Sequence, residues 1–131
     1  MAIGVKEVVI RVRTEITMDT DESAYRWANS QMVQYGNETV YELVRLVKHL
    51  LINERGEPSK SDELVALVTA DKFETAVWNL PRKYLEALMH GIAMRCFLQD
   101  SADQANAARA QYELARFREC AGVSTASATQ G

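Results

Sequence analysis

Residues 29–51, NSQMVQYGNETVYELVRLVKHLL, decide the fold. Val33, Gly36, Val40, Leu43, Val44, Val47 and Leu50 fall on one stripe at helical spacing, with charged and amide side chains between them. An amphipathic run of this kind gains most of its stability from what it packs against, so it predicts a helix within a helical bundle. Asn29 can cap the free amides of the first turn. Gly36, in mid-helix, costs about 1 kcal/mol relative to alanine and signals either a kink or a close helix crossing. This helix should be the longest and most buried of the fold.

Toward the N-terminus, Val5, Val8, Val9, Val12 and Ile16 recur at i, i+3, i+4, i+7 and i+11, one face of a first helix. Branched valines lower its intrinsic propensity, so burial must stabilise it. Residues 17–22, TMDTDE, form a polar connector. Its Asp19, Asp21 and Glu22 lack the spacing of a calcium loop and read as the solvated carboxylates of a turn.

Toward the C-terminus, residues 53–62, NERGEPSKSD, read as a loop. The run at 63–69, ELVALVT, fits a strand or one helical turn, and extended structure is the preferred reading. Residues 70–79 should be irregular and fastened to the helices by Phe73, Val77 and Trp78. Leu80-Pro81 opens a third helix, since proline suits a first turn where its missing N–H is not needed. Tyr84, Leu85, Leu88, Met89, Ile92 and Cys96 form its buried face.

A break at 99–101, capped by Asp100 or Ser101, leads into ADQANAARAQYELARFREC. This alanine-rich helix should pack closely through Ala105, Ala108, Tyr112 and Ala115. The last segment, 121–131, is uncharged and built of small side chains, a composition that cannot order itself alone. The sequence therefore predicts a mainly α, single-domain protein. A bundle of about four helices occupies 1–120, with a short irregular or β segment between helices two and three, and a flexible tail follows at 121–131.

With 131 residues, 47% of them hydrophobic, one modest core is expected. The formal charge of −3 opposes a dedicated nucleic-acid binder, which needs a clustered cationic surplus to displace counterions from phosphates. Charges at Lys6, Glu7, Arg11 and Arg13 interrupt the apolar start, and the apolar runs are short, so neither a signal peptide nor a membrane span is expected. Cys96 and Cys120 lack a CxxC pattern and read as two reduced thiols in or beside the core of a protein made in cytoplasm.

Catalytic signatures are not visible in the letters. His49 and His90 lie on different helices without HExxH or a cysteine partner, and there is no glycine-rich phosphate loop or GxSxG elbow. The expectation is no enzyme, no metal site and no cofactor. Arg109, Arg116 and Arg118 punctuate the last helix beside Glu113 and Glu119, where Glu113 can pair with Arg109 or Arg116 at helical spacing. That face is solvated by default; in an assembly, Arg109, Glu113 and Arg116 become the candidate intersubunit face.

The arrangement YRWANSQMVQYGNETVYELVRL, then LPRKYLEALMHGIAMRCFLQDSADQANAARAQYELARF, resembles the head-to-tail adaptor proteins of tailed bacteriophages. The likeness lies in the Tyr-Arg-Trp before a helix ending in Glu42, Leu43, Val44, Arg45 and Leu46. It continues in Leu80, Pro81, Tyr84, Glu86, Ala87 and Leu88, then in the break at Gln99, Asp100, Ser101, Ala102 and Asp103 before Ala105, Asn106, Ala107, Ala108, Arg109 and Ala110. Many such proteins insert a sizeable β-rich portion between the second helix and the leucine-proline, where this chain offers only 51–79.

The resemblance implies a virion protein at the head–tail interface. Its subunits would form a homo-oligomeric ring, a dodecamer in that family's manner, through which genome DNA passes. The ring would bind the portal protein and offer a docking surface to tail proteins of the nozzle or tail tube. By the same resemblance Ala121, Gly122, Val123, Ser124, Thr125, Ala126, Ser127, Ala128, Thr129, Gln130 and Gly131 would reach onto the portal or a neighbour. Truncation after Cys120 should then spare the fold and abolish attachment. The competing readings are a non-viral helical protein–protein interaction module and a small DNA-binding regulator; a helical-bundle metalloenzyme would require inward carboxylates near His49 or His90.

Overall fold

The computed structural model describes residues 3–47, 68–99 and 102–122. Four helices carry the fold: α1 (Val5–Glu15), α2 (Asn29–Leu46), α3 (Leu85–Gln99) and α4 (Gln104–Cys120). Two short strands, β1 (Ile3–Gly4) and β2 (Val77–Trp78), pair antiparallel with Ile3 opposite Trp78 and Gly4 opposite Val77. The mainly α bundle with a short β piece between the second and third helices is therefore the architecture. The loop read at 53–62 and most of 63–69 lie outside the described residues; at the edge of the latter, Thr69 is extended.

The valine face of α1 is buried as its spacing requires, with Val5, Val8, Val9 and Val12 fully enclosed. Its first turn has no side-chain cap at Gly4; instead the Val5 amide donates to the Ala76 carbonyl at 3.1 Å, prolonging the β1–β2 ladder into the helix. Of the residues expected to fasten 70–79, Trp78 is buried and Phe73 half-buried, but Val77 is exposed. Alternation along β2 turns one side chain inward and its neighbour out.

Arg13 departs from the amphipathic pattern, since a guanidinium on the buried side of α1 is only 3% exposed. It donates through Nη1 to Asp19 Oδ2 at 2.7 Å, and through Nη2 to the Trp27 carbonyl at 2.7 Å and Asn29 Oδ1 at 2.8 Å. The Tyr25 ring stacks 3.5 Å from its Cζ. Asp19 in turn accepts the Arg26 amide at 2.9 Å and the Trp27 amide at 3.2 Å. The connector is thus wound around one buried ion pair, and Asp19 is not the solvated turn residue expected.

Asn29 is spent on Arg13, so it does not cap α2. The helix starts from Ala28, whose amide donates to Gln31 Oε1 at 2.9 Å. Val33, Gly36, Val40, Leu43 and Val44 are buried as the stripe predicts; Leu50 is not among the described residues. Gly36 is not the site of a helix crossing: a Cβ built there would lie 2.3 Å from Cη2 of Trp78, so it is the indole of β2 that takes up the space.

The most buried helix is α3 and not α2, because LEALMHGIAMRCFLQ is apolar around most of its circumference and lies between the other three helices. At Gly91 side chains of α2 and α4 press onto the bare backbone of α3: a Cβ would stand 2.3 Å from Thr39 Cγ2 and 3.1 Å from Phe117 Cδ1 of α4. Gly91→Ala is expected to cost about 2 kcal/mol net, overpacking outweighing the gain in helix propensity. Urea unfolding measures it, and Thr39→Ser, which removes the obstructing methyl and keeps the hydroxyl bond to the Tyr35 carbonyl, should recover part of the loss.

The start of α4 is capped by Asp103, whose Oδ1 accepts the Ala105 amide at 2.8 Å; Asp100 and Ser101 are not described. Its buried face is Asn106, Ala110, Glu113 and Phe117. The expected face, Ala105, Ala108, Tyr112 and Ala115, is exposed instead. Two polar residues on the buried side, Asn106 and Glu113, displaced the apparent stripe by part of a turn.

Candidate functional site

Three places on the described surface could meet a partner. The first is the outward face of α4. Arg109, Tyr112 and Arg116 follow one another at i, i+3 and i+7, with Ala105 and Ala108 beside them, and Tyr112 is 61% exposed. Arg116 pairs with Glu119 at 2.7 Å, while the Arg109 guanidinium lies over the Phe97 ring at 5.4 Å.

Glu113, grouped by sequence with Arg109 and Arg116, turns the other way. It is 6% exposed and meets His90 Nδ1 of α3 at 2.5 Å, so neither arginine holds it. His90, 15% exposed at its side chain, is the partly buried, hydrogen-bonded histidine that a helix surface permits. His49 lies outside the described residues. Sequence spacing could place Glu113 near Arg109, but the cross-helix partner that drew it inward is 23 positions away.

The second place is a furrow along the outer side of α2. A cavity of about 340 Å³ lined by Val33, Asn37, Tyr41 and Val68 shares Glu38 and Tyr41 with a second of about 390 Å³ that reaches Arg45, Leu46 and Arg95. Its first half is mainly apolar. Its wall is fixed by Asn37, whose Nδ2 donates to the Val68 carbonyl at 2.8 Å while its Oδ1 accepts the Val68 amide at 3.2 Å and Trp78 Nε1 at 3.0 Å. Arg95 of α3 braces the other half through Glu42 at 2.7 Å and Glu38 at 3.5 Å.

The third is a cavity of about 470 Å³ beside Arg13, between α1 and residues 73–74. Lys6 and Glu74 cross its mouth as a 2.6 Å ion pair, and Arg13 on its wall is engaged by Asp19 and Asn29. Nearby, Arg82 bonds Glu7 and holds that carboxyl below the ordinary carboxylate range. This region braces the bundle.

The predicted tail begins two residues inside the fold. Ala121 is 5% exposed, and its amide donates to the Phe117 carbonyl at 2.9 Å. Gly122, at φ +81°, closes α4 by donating to the Glu119 carbonyl at 3.0 Å, a left-handed position that favours glycine. Val123 to Gly131 are not described. Cys96 is buried, with its thiol 3.4 Å from the Met32 sulfur; burial pushes the half-buried Cys120 thiol above its ordinary range. Among the described residues no three His, Cys, Asp or Glu side chains converge as a metal cage would require, and no helix is long and apolar enough to cross a membrane.

Set beside known proteins, the chain finds no counterpart: no family model, curated protein or solved structure matches it.

Proposed function

We propose that this chain is the repeating subunit of a head-to-tail adaptor ring, seated on a portal at the head–tail junction of a virion and presenting a surface to tail proteins. The observation that carries the reading is the outward face of α4. Small residues at Ala105, Ala108 and Ala115 suit close helix packing, yet within this chain they stand open around Tyr112. Such a face belongs on a molecule that completes its packing with another one.

The resembling stretches also fall at the joints of the fold. Tyr25, Arg26 and Trp27 wrap the Arg13–Asp19 pair ahead of α2, and Leu80 is buried just before Pro81 leads into α3. A net charge of −3 per subunit suits a channel that passes DNA without gripping it.

Mixing the purified chain with portal rings of the virus that encodes it tests the reading. Co-sedimentation as a ring-on-ring complex is the expected result. A chain that stays in the supernatant at every ratio retires the proposal in favour of a helical interaction module unrelated to virions. Removal of residues 123–131 is expected to leave the thermal midpoint unchanged and to abolish co-sedimentation. The cut belongs after Gly122, because truncation after Cys120 would also delete the two amides that close α4.

A further inference from the structure

We infer that residues 18–26, between α1 and α2, form a strap that opens as one unit while the bundle beneath stays folded, and that opening releases the Arg13 guanidinium. The inference stands apart from the ring reading. It comes from what holds the strap shut and from what the closed form costs.

The hold is polar and concentrated at one point. Apart from the Asp19 side chain, residues 18–26, all of them described, are half-buried or exposed. The ends are fixed, because the Thr17 amide donates to the Val12 carbonyl at 2.9 Å and Trp27 is 2% exposed. Between these anchors one carboxylate receives Arg13 Nη1 together with the Arg26 and Trp27 amides. Lifting Asp19 from its place therefore frees three donors at once. Segments with few buried apolar contacts open at a lower free energy than the core they cover.

Two local costs favour opening. Met18 sits at φ +57°, the left-handed region that residues with a side chain, Asn and Asp aside, seldom adopt, and it is 69% exposed. Arg13 Nε is buried without a hydrogen-bond partner, in the guanidinium on which the Tyr25 ring stacks. Both penalties end when the strap lifts, since the Met18 backbone relaxes and Nε meets water. Neither involves the packing of α3 on α2 and α4.

What opening uncovers is a placed positive charge. Arg13 Nη2 bonds the Trp27 carbonyl and Asn29, which lie past the strap, so the guanidinium keeps its position while Nη1 and Nε turn to solvent. Arg13 then stands free on the α1 wall of the cavity of about 470 Å³, from which Glu22 and Tyr25 have withdrawn. An anionic group from outside meets this charge only in the open form.

Native-state hydrogen exchange of the full chain, followed by NMR at low concentrations of urea, tests this. The Arg26 and Trp27 amides and the Arg13 Nε proton are expected to share one protection factor, at least about hundredfold below those of the Ile92 and Cys96 amides in α3. Urea should change that shared value little while the α3 values fall steeply, because opening the strap exposes little surface. Met18→Val, which places a branched side chain at the left-handed position, should lower the shared value about tenfold, and Met18→Asn, which tolerates that position, should raise it. Gly91→Ala should weaken the α3 amides and leave the strap protons unmoved. Strap protons that match the α3 amides in protection and in urea dependence overturn the inference, since the connector then opens only with the whole molecule. So do three protons with unrelated protection factors, or a Gly91→Ala effect as large on the strap as on α3.

Discussion

Asp19→Ala is expected to lower the free energy of unfolding by about 3–5 kcal/mol, because it leaves the buried Arg13 guanidinium without its counter-charge. The Asp19 side chain is only 8% exposed and Arg13 only 4%, so water cannot take over the lost role. The same carboxylate accepts the Arg26 and Trp27 amides, which would lose their acceptor as well. Domains of this size are stable by roughly 5–15 kcal/mol, so the variant should be partly unfolded at moderate temperature. Urea titration followed by circular dichroism measures the loss. Asp21→Ala is the control: among the described residues that exposed carboxylate bonds its near neighbour Ser23, and removing it should leave the urea midpoint essentially unchanged. Adding Arg13→Met to Asp19→Ala should recover part of the loss, since an apolar side chain of similar length removes the stranded charge. A single Asp19→Ala variant with wild-type stability would mean that the connector is not held as described.

Trp78→Ala should cost a similar amount, about 3–5 kcal/mol, for a different reason. The indole is 2% exposed, lies against the bare backbone of Gly36, and donates through Nε1 to Asn37 Oδ1. Truncation opens a cavity beneath α2 and withdraws one of the partners of Asn37. The test that isolates the packing is a double-mutant cycle with Gly36→Ala. Alone, Gly36→Ala drives a Cβ into the indole and should destabilise by about 1–3 kcal/mol. In the Trp78→Ala background the obstruction is gone, and the same substitution should turn neutral or stabilising by up to about 1 kcal/mol through helix propensity. A penalty equal in both backgrounds would contradict the close approach of the indole to Gly36.

The elements legible in the sequence were those stabilised by a single periodic face. The valines of α1 and the stripe of α2 each bury a continuous apolar strip, and hydrophobic spacing reports that directly. What stayed hidden depended on pairs far apart in the chain. Asn29 looks like a cap by position, yet Arg13, sixteen residues earlier, claims its oxygen. Asp19 looks solvated among acidic neighbours until Arg13 is known to be inside. The α4 reading failed in the same way, since Glu113 enters the interior only because His90 waits on α3. Without that pairing, alanines and a tyrosine are the natural choice for a buried stripe. Ala105, Ala108, Tyr112 and Ala115 therefore read as the buried side of α4 when they are its exposed one. The furrow on α2 had no signal in the letters, because it forms where Val68 and Ala70 return to the helix.

Asn37 carries a consequence for how such a chain can change. Its carboxamide grips the backbone of Val68 with two bonds and the Trp78 indole with a third, so the polypeptide re-enters the bundle at a fixed address. A substitution at Asn37 is therefore felt by the Val68 amide, the Val68 carbonyl and the Trp78 indole at once. Aspartate would keep the acceptor and lose the donor, and leucine would lose all three bonds, so this fold holds its position 37 to a side-chain amide.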